Sequence, residues 1–145
     1  MMKIKAIAIE IISTLFVILF IYAAASKLMD IQKFRVQIGQ SPLLTRYVGL
    51  IIYGIPALEI LISSMIIYPA LRKTGLYASF TLMTAFTLYI VALLHYDSHV
   101  PCSCGGILQK MSWNTHIWFN TVFIILSVAG ILLEEQKEQH FVAIK

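Results

Sequence analysis

The chain has 145 residues, of which 59% are hydrophobic and 12% charged, about half the charged share of an ordinary soluble domain. Its formal charge of +4 comes from 11 basic and 7 acidic residues scattered over short segments. No basic run interleaves with aromatic residues, so the charges read as membrane anchors and exclude a nucleic-acid surface.

This composition supplies about four apolar spans of roughly 20 residues with short connections, within a single domain over 1–145. Lys3 and Lys5 precede an apolar run from Ala6 to Ala25 that closes on Ala23, Ala24, Ala25 and Ser26. The ending imitates a signal-peptide cleavage site, yet the run is longer than the usual apolar region and more membrane sequence follows it. A retained first span over 6–26 is therefore expected, its small residues serving close helix packing. Glu10 is expected to snorkel to the interface beside Lys3 and Lys5, with no catalytic part.

Between Ser26 and Arg46 the charged residues Lys27, Asp30, Lys33 and Arg35 alternate with Leu28, Ile31, Phe34, Val36 and Ile38, until Ser41 and Pro42 break the run. The mixture predicts a short amphipathic helix lying at the membrane interface. The second span, over 47–68, holds Gly49, Gly54, Pro56 and, near its centre, Glu59. A carboxylate at that depth must face the bundle interior, pair, or stay protonated, so Glu59 is a hydrogen-bond hub or a proton-handling group.

Arg72 and Lys73 lead into the third span, over 74–95, which carries Thr81, Thr84 and Thr87. Their hydroxyls are expected to bond the carbonyl one turn back or a neighbouring helix. A polar exit from His95 to Pro101 ends at the cysteines, the fourth span follows over 112–133, and a charged, exposed tail is expected from Glu134. The predicted fold is all-α: an integral membrane four-helix bundle with an interfacial helix after the first span. Both termini then share one side, with six Lys and Arg against five on the other. The tight basic flanks at Lys3, Lys5, Arg72 and Lys73 favour cytoplasmic termini and an extracytoplasmic cysteine loop.

The two cysteines, Cys102 and Cys104, are separated by one serine and followed by Gly105 and Gly106. The glycines give the backbone freedom for both sulfurs to turn toward each other or toward a common ion. Trp113, His116 and Asn120 stand at i, i+3 and i+7, so one helix face carries an indole, an imidazole and an amide. One reading is thiol–disulfide exchange. A disulfide closed across one residue is strained, and strained disulfides are the more oxidising ones. The positive end of the following helix, Lys110 and a protonated His116 would each favour a thiolate, or His116 could accept the thiol proton. With a single pair, the redox partner must be external: a thioredoxin-like protein or a membrane quinone.

The same residues admit a soft-metal site, in which Cys102 and Cys104 join His95, His99 or His116, with Met111 as a possible thioether, around Cu(I) or Zn(II). They also admit a structural role, with the cysteines pinning a loop, Trp113 anchoring the interface and the protein serving as a non-catalytic membrane subunit.

Three stretches carry a family likeness: AAASKLMDIQKF from Ala23 to Phe34, PALEIL from Pro56 to Leu61, and PCSCGGILQKMSWNTHIWFN from Pro101 to Asn120. Through them the chain resembles the MauE branch of the DoxX-like membrane proteins, which are small, four-helical and associated with redox functions. The resemblance implies a multi-pass protein of the bacterial inner membrane, working beside a thioredoxin-like partner. It also implies a part in maturing a disulfide-containing protein of methylamine metabolism. On the thiol-exchange reading of the residues themselves, Cys102, Cys104 and His116 are the catalytic residues, with Glu59, Trp113 and Asn120 as a supporting polar network.

Overall fold

A computed structural model describes residues 2–40, 44–96 and 112–143. These form α1 (Met2–Met29), α2 (Ile31–Gly39), a 3-10 turn (Thr45–Tyr47), α3 (Val48–Ile67), α4 (Arg72–Tyr96) and α5 (Trp113–Ala143). Four of these helices are long and apolar enough to cross a membrane. The chain is an all-α, multi-pass membrane bundle in which α1 packs on α3 and α5, while α4 packs on α3 and α5. Each span packs on the next in sequence, and the last packs back on the first, which closes the ring.

Each span turns one stripe inward. On α1 the buried positions include Phe16, Phe20, Ala23 and Lys27, and on α3 they include Ile52, Pro56, Glu59, Ser63 and Ile66. On α5 they include His116, Asn120, Ser127, Ile131 and Glu134. The steps of three, four and seven residues are those of a helix face, so one rule of packing sets all three stripes. Isoleucines and leucines on the opposite faces, such as Ile18, Leu50, Leu88 and Ile125, stay exposed, as lipid contact demands.

The middle of the bundle is apolar, built on Phe16, Phe20, Ile62, Ile66, Leu76 and Met83. Phe123 meets Phe16 edge-on at 5.3 Å between centroids. Close approach is allowed at Gly75, where an added Cβ would lie 2.8 Å from Ile66 Cγ1 and 3.0 Å from the Ile66 nitrogen. In lipid, where burial of apolar surface does not drive helices together, such contacts hold the bundle.

The polar ends close differently. At the end holding the chain termini, Arg72 Nη1 lies 2.6 Å from Glu10 Oε1 and 3.7 Å from Glu134 Oε1, joining α4 to α1 and α5. Its Nε also donates to the Ile66 carbonyl at 3.2 Å. Glu10 therefore has a specific partner beyond the expected interfacial position. After 133 the expected exposure holds for residues 136–140, but the segment continues α5 through Ala143 and Glu134 is buried. Lys73 reaches Glu138 at 2.9 Å along the same helix pair. The threonines of α4 follow expectation at two positions, with Thr81 donating to the Tyr77 carbonyl and Thr87 to the Met83 carbonyl.

At the other end α2 is the predicted amphipathic helix. Asp30 caps it, its carboxylate accepting from the Lys33 amide at 3.2 Å. The inward face is Phe34, Gln37 and Ile38, and the aliphatic part rests on Ile51 and Ile52 of α3. Lys33 and Arg35 are exposed. Lys27 departs from expectation: it belongs to α1, not to the interfacial helix, and it points inward.

Candidate functional site

Lys27 sits one turn beyond Ala23 on the buried stripe of α1, so its side chain enters the bundle instead of reaching the interface. Its Nζ donates to Glu59 Oε1 at 2.7 Å and to the Ala23 carbonyl at 3.3 Å. The two side chains are 4% and 1% exposed. Removing two charges from water is costly and is offset only by close pairing with further hydrogen bonds, which this geometry supplies on the lysine side. Phe34 of α2 covers the pair, its ring centroid 6.0 Å from Nζ. On the carboxylate side, Glu59 Oε2 has no hydrogen-bond partner among the described residues.

His116 and Asn120 reach the same region from α5. Ser112 starts that helix, its hydroxyl accepting from the Thr115 amide at 3.3 Å and its carbonyl from the His116 amide at 3.0 Å. This cap sets the helical phase, which turns His116 and Asn120, 2% and 3% exposed, inward one turn apart. Asn120 Nδ2 likewise has no partner among the described residues.

These four polar residues line one cavity of about 280 Å³. Its remaining walls are apolar or aromatic and include Phe20 and Phe119 toward the bundle centre, Phe34 and Ile38 of α2, and Phe86 and Tyr89 of α4. All four spans and the amphipathic helix contribute, so the helix after the first span is the cover of a chamber as well as an interfacial element. A chamber with apolar walls and a few convergent polar groups is the usual form of a small-molecule site. Chemically it offers an ion pair, an amide donor and an imidazole among apolar walls.

Of the residues expected from sequence, the structure brings Glu59, His116 and Asn120 together. Trp113 begins α5, one turn before His116. Cys102, Cys104, His99, Lys110 and Met111 lie outside the described residues, and His95 is an exposed residue of the last turn of α4. Among the described residues, no three His, Cys, Asp or Glu side chains gather as a metal-binding group. Sequence reasoning missed Lys27, although Phe16, Phe20, Ala23 and Lys27 fall at i, i+4, i+7 and i+11, one continuous stripe.

No curated protein and no solved structure matches the chain. A family described as methylamine utilisation protein MauE matches residues 5–133, which include all the polar residues of the chamber and both cysteines. With that match extending over most of its length, this four-span membrane protein belongs to the MauE family.

Proposed function

We propose that this protein is a redox component of the bacterial inner membrane. It exchanges disulfides between Cys102 and Cys104 and an extracytoplasmic thioredoxin-like partner, in the maturation of a disulfide-containing protein for methylamine utilisation. The observation that carries the reading is the position of the buried polar chamber. His116 belongs to the first turns of α5, and the connection from Tyr96 to Ser112 that contains both cysteines leads directly into that helix. Intramembrane polar groups are costly and characteristically serve function, and here four of them converge at the end from which the cysteine connection departs.

The chemistry is a reversible exchange. One thiolate attacks a sulfur of the partner's disulfide, forming a mixed disulfide and releasing a partner thiolate. The second cysteine then attacks the mixed disulfide, leaving Cys102 and Cys104 joined and the partner fully reduced. Both electrons of the new S–S bond's formation go to the partner, and run in reverse the same steps oxidise it. Two thiol protons must be accepted, and His116 is the base in this scheme. Asn120, one turn along, positions His116, and the Lys27–Glu59 pair holds the first and second spans against it.

Mixed-disulfide trapping tests the proposal. With one cysteine changed to serine, the remaining thiol should capture a thioredoxin-like protein through a reducible bond, and with both changed it should capture none. Insertion into the membrane should be the same for all three variants. Capture that persists in the double variant, or none in either single variant, would refute the exchange.

A further inference from the structure

We infer that the chamber between the four spans is a binding site for the head group of a lipid-soluble quinone, in its oxidised or hydroquinone form. The argument begins with size. A cavity of about 150 Å³ with apolar walls accommodates benzene. The present cavity of about 280 Å³ has room for a larger, substituted ring. Its aromatic walls, among them Phe20, Phe119 and Phe86, suit a flat ring, which packs favourably against other rings in offset or edge-on contact.

Charge narrows the ligand further. Lys27 and Glu59 already neutralise one another at 2.7 Å, so a charged ligand would bring an uncompensated charge into a low-dielectric site. A neutral molecule is favoured. Of the four buried side-chain polar atoms without a partner among the described residues, two belong to the chamber lining: Asn120 Nδ2, a donor, and Glu59 Oε2, an acceptor. Buried polar atoms are ordinarily satisfied, and these two belong to side chains that are 3% and 1% exposed and line the same cavity. The complementary ligand presents an oxygen that accepts from the amide and, in its reduced form, a hydroxyl that donates to the carboxylate. A quinone supplies the first, a hydroquinone supplies both, and a hydrocarbon chain supplies neither.

The binding itself stands on the chamber, while a role for the ligand rests on the exchange proposed above. Oxidising two thiols to a disulfide releases two electrons and two protons. Reducing a quinone consumes two of each, making one O–H bond at each carbonyl oxygen. A quinone would thus be a suitable two-electron acceptor for the cysteine pair.

The test uses purified full-length protein in mild detergent, with decylubiquinone as the probe and equilibrium binding as the readout. Decylbenzene, of similar shape without the oxygens, is the control. Wild-type protein should bind one decylubiquinone per chain and hold decylbenzene at least about tenfold more weakly, since one or two hydrogen bonds separate them. Asn120→Leu, which keeps side-chain volume, should weaken decylubiquinone about tenfold without affecting decylbenzene. Ile55→Trp, which fills the chamber from α3, should remove both ligands, with thermal melting confirming that each variant is folded. No binding by folded wild type, or equal binding of the two probes with no effect of Asn120→Leu, would overturn the inference and leave a chamber for lipid chains. The double variant Cys102→Ser/Cys104→Ser should still bind decylubiquinone. Binding retained there while thiol exchange fails in the wild type would sink the exchange alone, and exchange without quinone binding would sink the quinone site alone.

Discussion

Lys27 Nζ and Glu59 Oε1 stand 2.7 Å apart inside the bundle, joining the end of the first span to the middle of the second at the floor of the amphipathic helix. The pair fixes α1 against α3 at the level where α5 brings in His116 and Asn120. Removing either partner leaves a buried charge without compensation. Lys27→Met and Glu59→Leu should each lower unfolding free energy by about 3–5 kcal/mol, and the double replacement should recover most of that loss. Denaturation of the three variants in detergent measures the coupling directly. Equal, additive losses would show that the pair does not act as a unit.

A second prediction concerns the approach of α3 and α4. The Cβ that Gly75→Ala adds would meet backbone and side-chain atoms of Ile66 at 3.0 Å or less. Because backbone cannot yield as a side-chain tip does, this substitution should cost about 1–3 kcal/mol. At Gly49 and Gly54 an added Cβ would have nothing within 4 Å. There alanine should be neutral or stabilise by up to about 1 kcal/mol, the gain in helix propensity. Melting temperatures of the three alanine variants should separate Gly75 from the others.

At the opposite end, Arg72 should matter far more than Glu10, although they form one ion pair. Arg72 is nearly buried and also bonds the Ile66 carbonyl and approaches Glu134, whereas Glu10 is 63% exposed. Glu10→Gln should change stability by no more than about 1 kcal/mol, as is usual of exposed pairs. Arg72→Leu, which strips the shared donor from α1, α3 and α5 together, should cost about 1–3 kcal/mol. Comparable effects of the two substitutions would contradict this division.

How much of this was legible in the sequence follows from what each signal depends on. Long apolar runs announce spans whatever their neighbours, and the alternation around Phe34 and Ile38 announced α2. His116 and Asn120 were visible because they are polar residues at helical spacing inside an apolar run. Lys27 obeys the same rule, but it stands beside a second charged stretch, so its composition pointed to the interface while its phase pointed inward. Phase decides, since the helix does not end until Met29. Glu134 was hidden in the same way, by a charged tail that continues the stripe of α5. A polar network of Glu59, His116 and Asn120 was expected from their types and positions, but the cavity they line was not legible: it depends on how five helices meet, which no single helix face records.

His116 offers a prediction on activity. His116→Gln retains hydrogen-bonding capacity and much of the volume but cannot take up a proton at neutral pH. It should slow thiol exchange about 10²-fold or more, the usual contribution of a positioned general base, while leaving membrane insertion unchanged. Stopped-flow alkylation of the cysteine pair, compared with the melting temperature, separates a chemical role from a packing role. Loss of stability at full exchange rate would make His116 a packing residue.

The redox state of Cys102 and Cys104 in intact cells tests thiol exchange most directly. Free thiols are labelled with a membrane-impermeant alkylating reagent before and after reduction, and the purified protein is analysed for bound metal. Reversible oxidation, reached from outside the cell and without stoichiometric metal, is the predicted result and establishes extracytoplasmic cysteines at the same time. Thiols that remain reduced and are shielded by one bound metal per chain would contradict it.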